Sequence, residues 1–404
     1  MPEAAESPGA VAGHVAPGFE GVRDEFATNF TERGEIGAAF TAYVDRVKVV
    51  DLWGGVRTDT GAPYGEDALQ VVFSSTKGAT AACAHLLAQR GQLDLDAPVA
   101  EYWPEFAQAG KERIPVRWLL THQAGLPTID AQLTRDEALA GDAVLRALEV
   151  QAPLWEPGTA HGYHAFTYGY LVGEVVRRVD GRTVGQLFAD EFAEPLGLEF
   201  WIGLPEALEP RVVPAIPMND DALDGFDLAD VLGADSLLLR AMTLNGAFGD
   251  EDLALLANRR EFHATEMPAA NGITDARSLA RFYAGLIGPV EGGRPQPLLT
   301  SEQVDIARTR QTTGSDRVLS FPGIDVESTM ALGFAASSPF APFGGARAFG
   351  HSGAGGSVGF ADPEHGIACG YVMNKMGLGA PLDPRSGVLV RATYEAASAA
   401  VAFA

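Results

Sequence analysis

The stretch Leu69-Gln70-Val71-Val72-Phe73-Ser74-Ser75-Thr76-Lys77 joins a strand-like pattern to a helix-like one. Residues 69–73 are a short run of β-branched, apolar and aromatic side chains, which is typical of a strand. From residue 75 to Arg90 the composition changes to Ala, Leu, Thr and Cys, and Gly91 suits the position just beyond a helix end. The pattern therefore predicts a strand that delivers Ser74 to the start of a helix.

Ser74 and Lys77 are three residues apart, so on a helix they share one face. The chain has four Lys against 25 Arg, which makes a lysine among small apolar residues noteworthy. A lysine buried at a helix start is desolvated and faces the positive end of the helix dipole, and both effects favour its neutral form. A neutral amine can accept the serine proton, and a main-chain N–H at the helix start can face an oxyanion. Taken alone, the pair is more typical of an exposed lysine in the first turn of a surface helix.

Strand-like runs lie at both ends of the chain, and helical patterns fill its middle. The patterns predict helices over 19–29, 275–289 and 386–402 and strands over 38–44, 47–53 and 366–373. We therefore expect an α+β fold in which the two ends build one antiparallel sheet flanked by helices, with a mostly helical insertion.

The same patterns predict domain boundaries. We expect a loose segment over 1–18, a sheet domain over 19–75 and 275–404, and a mostly helical domain over 76–274. The active site is expected between the sheet domain and the helical domain.

Composition limits the classes of function. The 404 residues are 47% hydrophobic and 20% charged, which is ordinary for a folded protein and excludes a disordered one. A formal charge of −24 repels nucleic acid and anionic membrane, so neither is an expected partner. Cys83 and Cys369 lie in apolar surroundings without a metal or disulfide pattern, which predicts two buried free thiols.

Targeting and cofactor motifs are also missing from the sequence. No signal peptide and no membrane-length apolar run is recognisable, so a cytoplasmic location is expected. The sequence has no phosphate-binding Gly-rich loop with Lys and no dinucleotide fingerprint, so no cofactor is expected. The sequence makes no prediction of the oligomeric state.

Three further segments accompany Ser74 and Lys77 at later points. They are Thr121-His122-Gln123-Ala124-Gly125-Leu126-Pro127, Trp155-Glu156-Pro157-Gly158-Thr159 followed by Tyr163-His164-Ala165, and Gly350-His351-Ser352-Gly353-Ala354-Gly355-Gly356. In order and rough spacing, the four segments resemble the serine β-lactamase and penicillin-binding-protein superfamily. The most similar branch is the class C type, and within it the family VIII carboxylesterases. The resemblance covers the chain from about residue 20 to its end.

The resemblance implies roles for three side chains. Ser74 corresponds to the acylated nucleophile and Lys77 to its base partner. Tyr163 corresponds to the tyrosine that shuttles a proton between the nucleophile and the leaving group. A phenol ionises near pH 10, so this role requires a nearby cation or a proton-sharing arrangement. Outside this context, Tyr163 would be interpreted as a buried aromatic residue with a satisfied hydroxyl.

The third segment corresponds to the Lys-Thr-Gly strand beside the active site. By this resemblance His351, Ser352 and Gly353 contact the substrate, and the N–H groups of Ser74 and Ala354 form an oxyanion hole. Outside this context, the segment 350–359 is simply rich in turn residues.

Two departures from the family pattern indicate the substrate class. Ala165 stands where the lactamases have an Asn that holds the acylamino side chain, and His351 stands where they have a Lys that binds the substrate carboxylate. A histidine is largely neutral at pH 7, so the site loses a fixed cation. We therefore expect a serine hydrolase, a carboxylesterase that cleaves short-chain carboxylic esters without a metal or cofactor.

Several alternatives remain open. The same acyl-enzyme would serve an acyltransferase, a weak β-lactamase or a D-amino-acid peptidase. Outside enzymes, the chain could be a non-catalytic ligand-binding relative, although the intact Ser74, Lys77 and Tyr163 argue against it.

Two other motifs point to different chemistry. Gly355-Gly356-Ser357-Val358-Gly359 fits the Gly-x-Ser-x-Gly elbow of α/β-hydrolases. Only 47 residues follow Ser357, and the candidates Asp362 and His365 lie too close to it for separate later loops. His161 and His164 flank Tyr163, but no His-Glu-x-x-His pattern accompanies them, so we expect no metal site.

Overall fold

The computed structural model describes residues 11–218, 233, 236–249, 253–293, 298–320, 323–379 and 382–402. Ten strands lie in these ranges: β1 Val11–Val15, β2 Gly37–Val44, β3 Val47–Gly55, β4 Gln70–Val71, β5 Phe200–Trp201, β6 Ile273–Thr274, β7 Ala335–Ala336, β8 Phe349–Ser352, β9 Val358–Asp362 and β10 Ile367–Met373. Seven of them form one antiparallel sheet in the order β1-β3-β2-β10-β9-β8-β7. The other three form a small antiparallel sheet, β4-β6-β5.

Chain ends supply the large sheet. β2, near the N-terminus, pairs with β10, near the C-terminus, from Val44 opposite Ile367 to Ala38 opposite Met373. All seven residues of β10 are buried, because helices cover the sheet. The helix Ala276–Ile287 packs so closely on β10 that a side chain at Gly370 would lie 2.5 Å from the oxygen of Ala276. The predicted α+β fold is confirmed.

Helices fill the middle of the chain, as the patterns predict. The α-helices span Glu20–Glu32, Thr76–Gln89, Val99–Tyr102, Val116–Leu120, Arg135–Ala140, Asp142–Val150, Thr167–Asp180, Val184–Phe188, Glu194–Leu196, Leu237–Met242, Leu253–Ala257, Arg260–Ala264, Ala276–Ile287, Ser301–Arg308 and Pro384–Ala402. Short 3-10 helices span Phe73–Ser75, Pro104–Phe106 and Glu206–Arg211, and a π-helical turn spans Ala189–Ala193. The first helix and the last helix pack against each other beside the sheet. The expected domain boundaries at residues 75 and 275 stay predictions.

Two local predictions need correction. The expected loose segment is wrong for β1, whose five residues pair with β3 from Val11 opposite Gly54 to Val15 opposite Val50; residues 1–10 lie outside the described residues. The small residues of β1 give it no strand-like pattern in the sequence. The strand forms because the edge of β3 offers N–H and C=O groups to which β1 can bind. The strand expected over 69–73 is also shorter, because Phe73 turns out of it with φ +44°.

Burial confirms the expected state of the two cysteines. Both Cys83 and Cys369 are buried free thiols, and desolvation raises the pKa of each above its ordinary value. Within the described ranges, no helix combines the length and the apolar character needed to cross a bilayer.

Candidate active site

Ser74 lies in the 3-10 turn Phe73–Ser75, which runs directly into the helix Thr76–Gln89. Its neighbours Phe73 and Ser75 are buried, whereas Ser74 is partly exposed. The φ of +44° at Phe73 is rare for a bulky residue and marks a strained backbone directly before Ser74. Ser75 anchors the turn, since its hydroxyl donates to the oxygen of His351 at 3.2 Å. The turn therefore presents one hydroxyl to solvent on a fixed backbone.

Lys77 is completely buried, and its Nζ lies 3.2 Å from Ser74 Oγ. The same Nζ donates to the main-chain oxygens of Ala165 at 2.8 Å and Ala269 at 2.9 Å. Burial holds the pKa of Lys77 well below its ordinary value. A neutral amine has two N–H groups and one lone pair, so with both N–H groups on carbonyl oxygens the lone pair is left for the Ser74 hydroxyl. The arrangement suits a base that accepts the serine proton.

Tyr163 adjoins this pair. The centre of its ring lies 4.9 Å from Lys77 Nζ. Burial raises the pKa of Tyr163 above its ordinary value, and a hydrogen bond with Ser74 opposes this shift without cancelling it. The phenol therefore keeps its proton at neutral pH. Of the two arrangements expected for Tyr163, this geometry favours proton sharing among neutral groups over ionisation beside an ammonium.

Residues that the sequence analysis did not assign hold the backbone of Tyr163. The N–H of Gly162 donates to the oxygen of His122, and the N–H of His164 donates to Nδ1 of the same histidine, both at 3.0 Å. The N–H of Tyr163 itself donates to Asp316 Oδ1 at 3.0 Å. His122 belongs to a segment that carried the resemblance, but Asp316 lies 153 residues from Tyr163 and has no local signal.

The strand β8 brings the third motif against the turn of Ser74. An added side chain at Gly353 would lie 2.1 Å from the oxygen of Val72, so only glycine permits this approach. His351 is buried, and burial is the main cause that lowers its pKa to about 3. Its Nδ1 donates to the oxygen of Ser352 at 2.6 Å, so the neutral ring keeps its lone pair on Nε2. Position 351 therefore offers an acceptor and no cation.

A buried ion pair braces the turn that follows Ala354. Arg385, which is 3% exposed, contacts Glu35 at 3.1 Å and Asp383 at 2.6 Å. Its Nη2 also donates to the oxygen of Gly355 at 3.3 Å. These contacts tie the last helix to the residue next to Ala354, and neither carboxylate partner has a signal in the local sequence.

The serine of the Gly-x-Ser-x-Gly motif and the two histidines that flank Tyr163 have structural roles. Ser357 is 1% exposed, and its hydroxyl donates to the oxygen of Val72 at 2.8 Å, so it is shielded from a substrate. Nε2 of His161 lies 3.0 Å from the hydroxyl of Ser328. The two ring nitrogens of His164 contact the oxygen of Gly162 and the N–H of Leu126.

One group of side chains has the spacing of metal ligands. Asp362, Glu364 and His365 offer ligand atoms within 4.8 Å of one another. The Asp362 carboxylate already accepts hydrogen bonds from the hydroxyl of Tyr394 and from Nδ1 of His365, each at 2.7 Å. These contacts satisfy Asp362 within the protein.

Comparison with known proteins agrees with this geometry. The profile of the family described as Beta-lactamase matches residues 22–392. The chain is 35% identical over 384 residues to Esterase/beta-lactamase LipL of Mycobacterium tuberculosis, covering 91% of this chain and 83% of that protein. A crystal structure of a family VIII carboxylesterase is similar with a TM-score of 0.84 and 35% identity, covering 96% of this chain and all of that one (100%). A penicillin-binding protein homologue from Caulobacter crescentus is similar with a TM-score of 0.83 and 36% identity, with coverage of 96% and 100%.

Together, the matched profile, which spans most of the sequence, and the similarity over nearly the whole fold establish the relationship. This chain belongs to the beta-lactamase family.

Proposed function

We propose that this protein is a serine carboxylesterase that cleaves short-chain carboxylic esters through an acyl-enzyme on Ser74. The observation that carries the proposal is the position of the buried Lys77 amine, 3.2 Å from Ser74 Oγ and bound by two carbonyl oxygens. A family VIII carboxylesterase and an esterase/beta-lactamase among its relatives support the reaction class.

The first half of the reaction forms the acyl-enzyme. Ser74 Oγ attacks the ester carbonyl carbon while its proton passes to the lone pair of Lys77. Negative charge develops on the former carbonyl oxygen, which the N–H groups of Ser74 and Ala354 would stabilise. Collapse of the intermediate breaks the bond to the alcohol oxygen, which takes a proton from Tyr163. The Lys77 ammonium then returns a proton to Tyr163.

The second half releases the acid. A water molecule takes the place of the alcohol and attacks the acyl carbon while its proton passes to the lone pair of Lys77. The bond to Ser74 Oγ breaks, and the Lys77 ammonium returns the proton to the serine. The oxygens of Ala165 and Ala269 stabilise each ammonium that forms on Lys77, since both already accept from Nζ.

An uncharged substrate suits the walls of the site. The neutral His351 and the methyl side chain of Ala165 provide neither a cation for a carboxylate nor an amide for an acylamino group. Esters without a charge lose nothing from these replacements. Hydrolysis of β-lactams is a second candidate, because the relative from Mycobacterium tuberculosis carries both activities in its name.

Intact-protein mass spectrometry with a p-nitrophenyl alkylphosphonate tests the nucleophile. We expect one adduct, mapped to Ser74, with no adduct on the Ser74→Ala variant. The Ser357→Ala variant is the matched control and should still be labelled at Ser74. An adduct on Ser357, or full labelling of Ser74→Ala, would overturn the proposal.

A further inference from the structure

Three consecutive main-chain N–H groups around Tyr163 are held by two residues from distant parts of the chain. His122 accepts from the N–H groups on both sides of the tyrosine, through its main-chain oxygen for Gly162 and through Nδ1 for His164, each at 3.0 Å. Asp316 Oδ1 accepts from the N–H of Tyr163 at 3.0 Å. The tyrosine backbone is thus fixed on both sides and at its own N–H.

His122 has the conformation that this double contact requires. It is buried, with φ +59°, a left-handed conformation that few residues other than Gly, Asn, Asp and His adopt readily. Because Nδ1 accepts from the N–H of His164, the neutral ring carries its proton on Nε2. The His122 ring also lies 5.1 Å from the Tyr163 ring, centre to centre. One residue therefore contacts both the backbone and the side chain of the tyrosine segment.

Asp316 is a rigid acceptor for the third contact. It is completely buried, and its Oδ1 also accepts from the N–H groups of Val318 and Leu319, both at 2.9 Å. Its other oxygen accepts from the hydroxyl of Ser328 at 2.8 Å. With both carboxylate oxygens held, Asp316 cannot turn away from Tyr163 without breaking several hydrogen bonds.

We propose that His122 and Asp316 are positioning residues that fix the Tyr163 phenol where it can donate its proton to the departing alcohol. The inference rests on the proposed function, because it needs Tyr163 to be that proton donor. Neither residue touches the reacting atoms. Their effect is to hold the phenol beside Ser74, and small displacements of a catalytic group slow a reaction strongly.

This role makes a selective prediction. An alkyl ester needs a proton on its departing oxygen, because an alkoxide is a poor leaving group. A p-nitrophenyl ester does not, because the phenolate leaves as an anion. Displacing Tyr163 should therefore slow ethyl butyrate hydrolysis much more than p-nitrophenyl butyrate hydrolysis. A general loss of folded enzyme would slow both reactions by the same factor.

His122→Gly and His122→Asn make the central comparison. Both new residues tolerate the left-handed backbone, but only Asn returns a side-chain acceptor near the position of Nδ1. For His122→Gly we expect kcat on ethyl butyrate to fall about 10²-fold with little change in KM, and a much smaller fall on p-nitrophenyl butyrate. His122→Asn should recover most of the loss.

Asp316→Asn and His85→Ala extend the comparison. Asp316→Asn keeps an oxygen acceptor and should change the ratio of the two rates less than Asp316→Ala. His85 is a fully buried histidine that contacts the oxygen of Leu332 at 2.8 Å and the side chain of Gln303, well outside the Tyr163 segment. His85→Ala should lower stability and leave the ratio unchanged.

Equal losses on the two esters for a His122→Gly variant that circular dichroism shows to be folded would overturn the inference. Tyr163→Phe separates this failure from that of the proposed function. If Tyr163→Phe slows only the alkyl ester while the positioning variants do not, the inference alone fails. If Tyr163→Phe has no selective effect, the proton-donor role of Tyr163 fails.

Discussion

Lys77 donates through Nζ to the main-chain oxygen of Ala165 at 2.8 Å, which links the helix of the nucleophile to the segment of Tyr163. The contact uses the backbone, so it is independent of the side chain at position 165. This contact would remain if an Asn of the lactamase type replaced Ala165. A change of side chain at this position therefore leaves this main-chain contact with the proposed base in place.

Lys77→Met should remove most of the activity. The variant fills similar space but cannot accept the serine proton, so kcat on p-nitrophenyl butyrate should fall by about 10²–10⁴-fold. Steady-state kinetics measure the loss, and circular dichroism checks that the variant folds. An active, folded Lys77→Met enzyme would show that another group is the base.

The stability of the protein should depend on pH through Lys77. In the folded state the Lys77 amine is neutral above its depressed pKa. In the unfolded state it remains an ammonium up to its ordinary pKa. Between the two pKa values the unfolded state therefore carries one more proton. Between the depressed folded pKa and about pH 10.5, this group makes the free energy of unfolding rise by about 1.4 kcal/mol per pH unit.

Urea unfolding of wild type and Lys77→Met, compared at several pH values between about 6 and 9, isolates this contribution. The free energy of unfolding of the wild type, minus that of Lys77→Met, should increase as the pH rises. A constant difference would mean that Lys77 is charged in the folded protein, and the proposed base would then be wrong.

Nitrocefin should be hydrolysed slowly compared with p-nitrophenyl butyrate. Neutral His351, with a pKa lowered to about 3, supplies no cation for the carboxylate of this β-lactam. The ratio of the two kcat/KM values measures the preference, and Ser74→Ala shows whether any turnover uses the same serine. Rapid nitrocefin turnover that depends on Ser74 would contradict the substrate class and favour the second candidate function.

Arg385→Met should destabilise the protein by about 3–5 kcal/mol at about pH 8, because Glu35 and Asp383 lose their buried partner. Burial raises the pKa of Glu35 to about 7, so at lower pH this carboxyl is protonated and the loss should be smaller. Urea unfolding of the wild type and Arg385→Met, at about pH 8 and at a pH below the Glu35 pKa of about 7, measures both effects.

Arg90→Met is the matched control. Arg90 contacts Glu191 at 2.6 Å, but its side chain is 38% exposed. An exposed pair of this kind contributes about 0–1 kcal/mol, so the control should change stability little. Similar losses for the two arginine variants would show that the Arg385 network contributes no more than a surface pair.

The sequence was sufficient for the family, the α+β fold and the expectation that Ser74, Lys77 and Tyr163 lie together. The three residues do lie together, while their catalytic roles stay predictions. The Ser74–Lys77 contact could be predicted because two side chains three positions apart on a helix lie on the same face. The spacing of hydrophobic residues similarly indicates which face of a helix or strand is buried, whichever segment packs against it.

Tertiary structure decided what surrounds these side chains. The oxygens of Ala165 and Ala269 that bind Lys77 lie 88 and 192 residues from it. Asp316 reaches Tyr163 across 153 residues, and Arg385 reaches Glu35 across 350. Hydrogen bonds between such distant groups leave no periodic pattern, and burial, which shifts the pKa values, exists only once the chain has packed. The local sequence specifies the reactive groups, and the folded chain specifies their protonation states and their orientations.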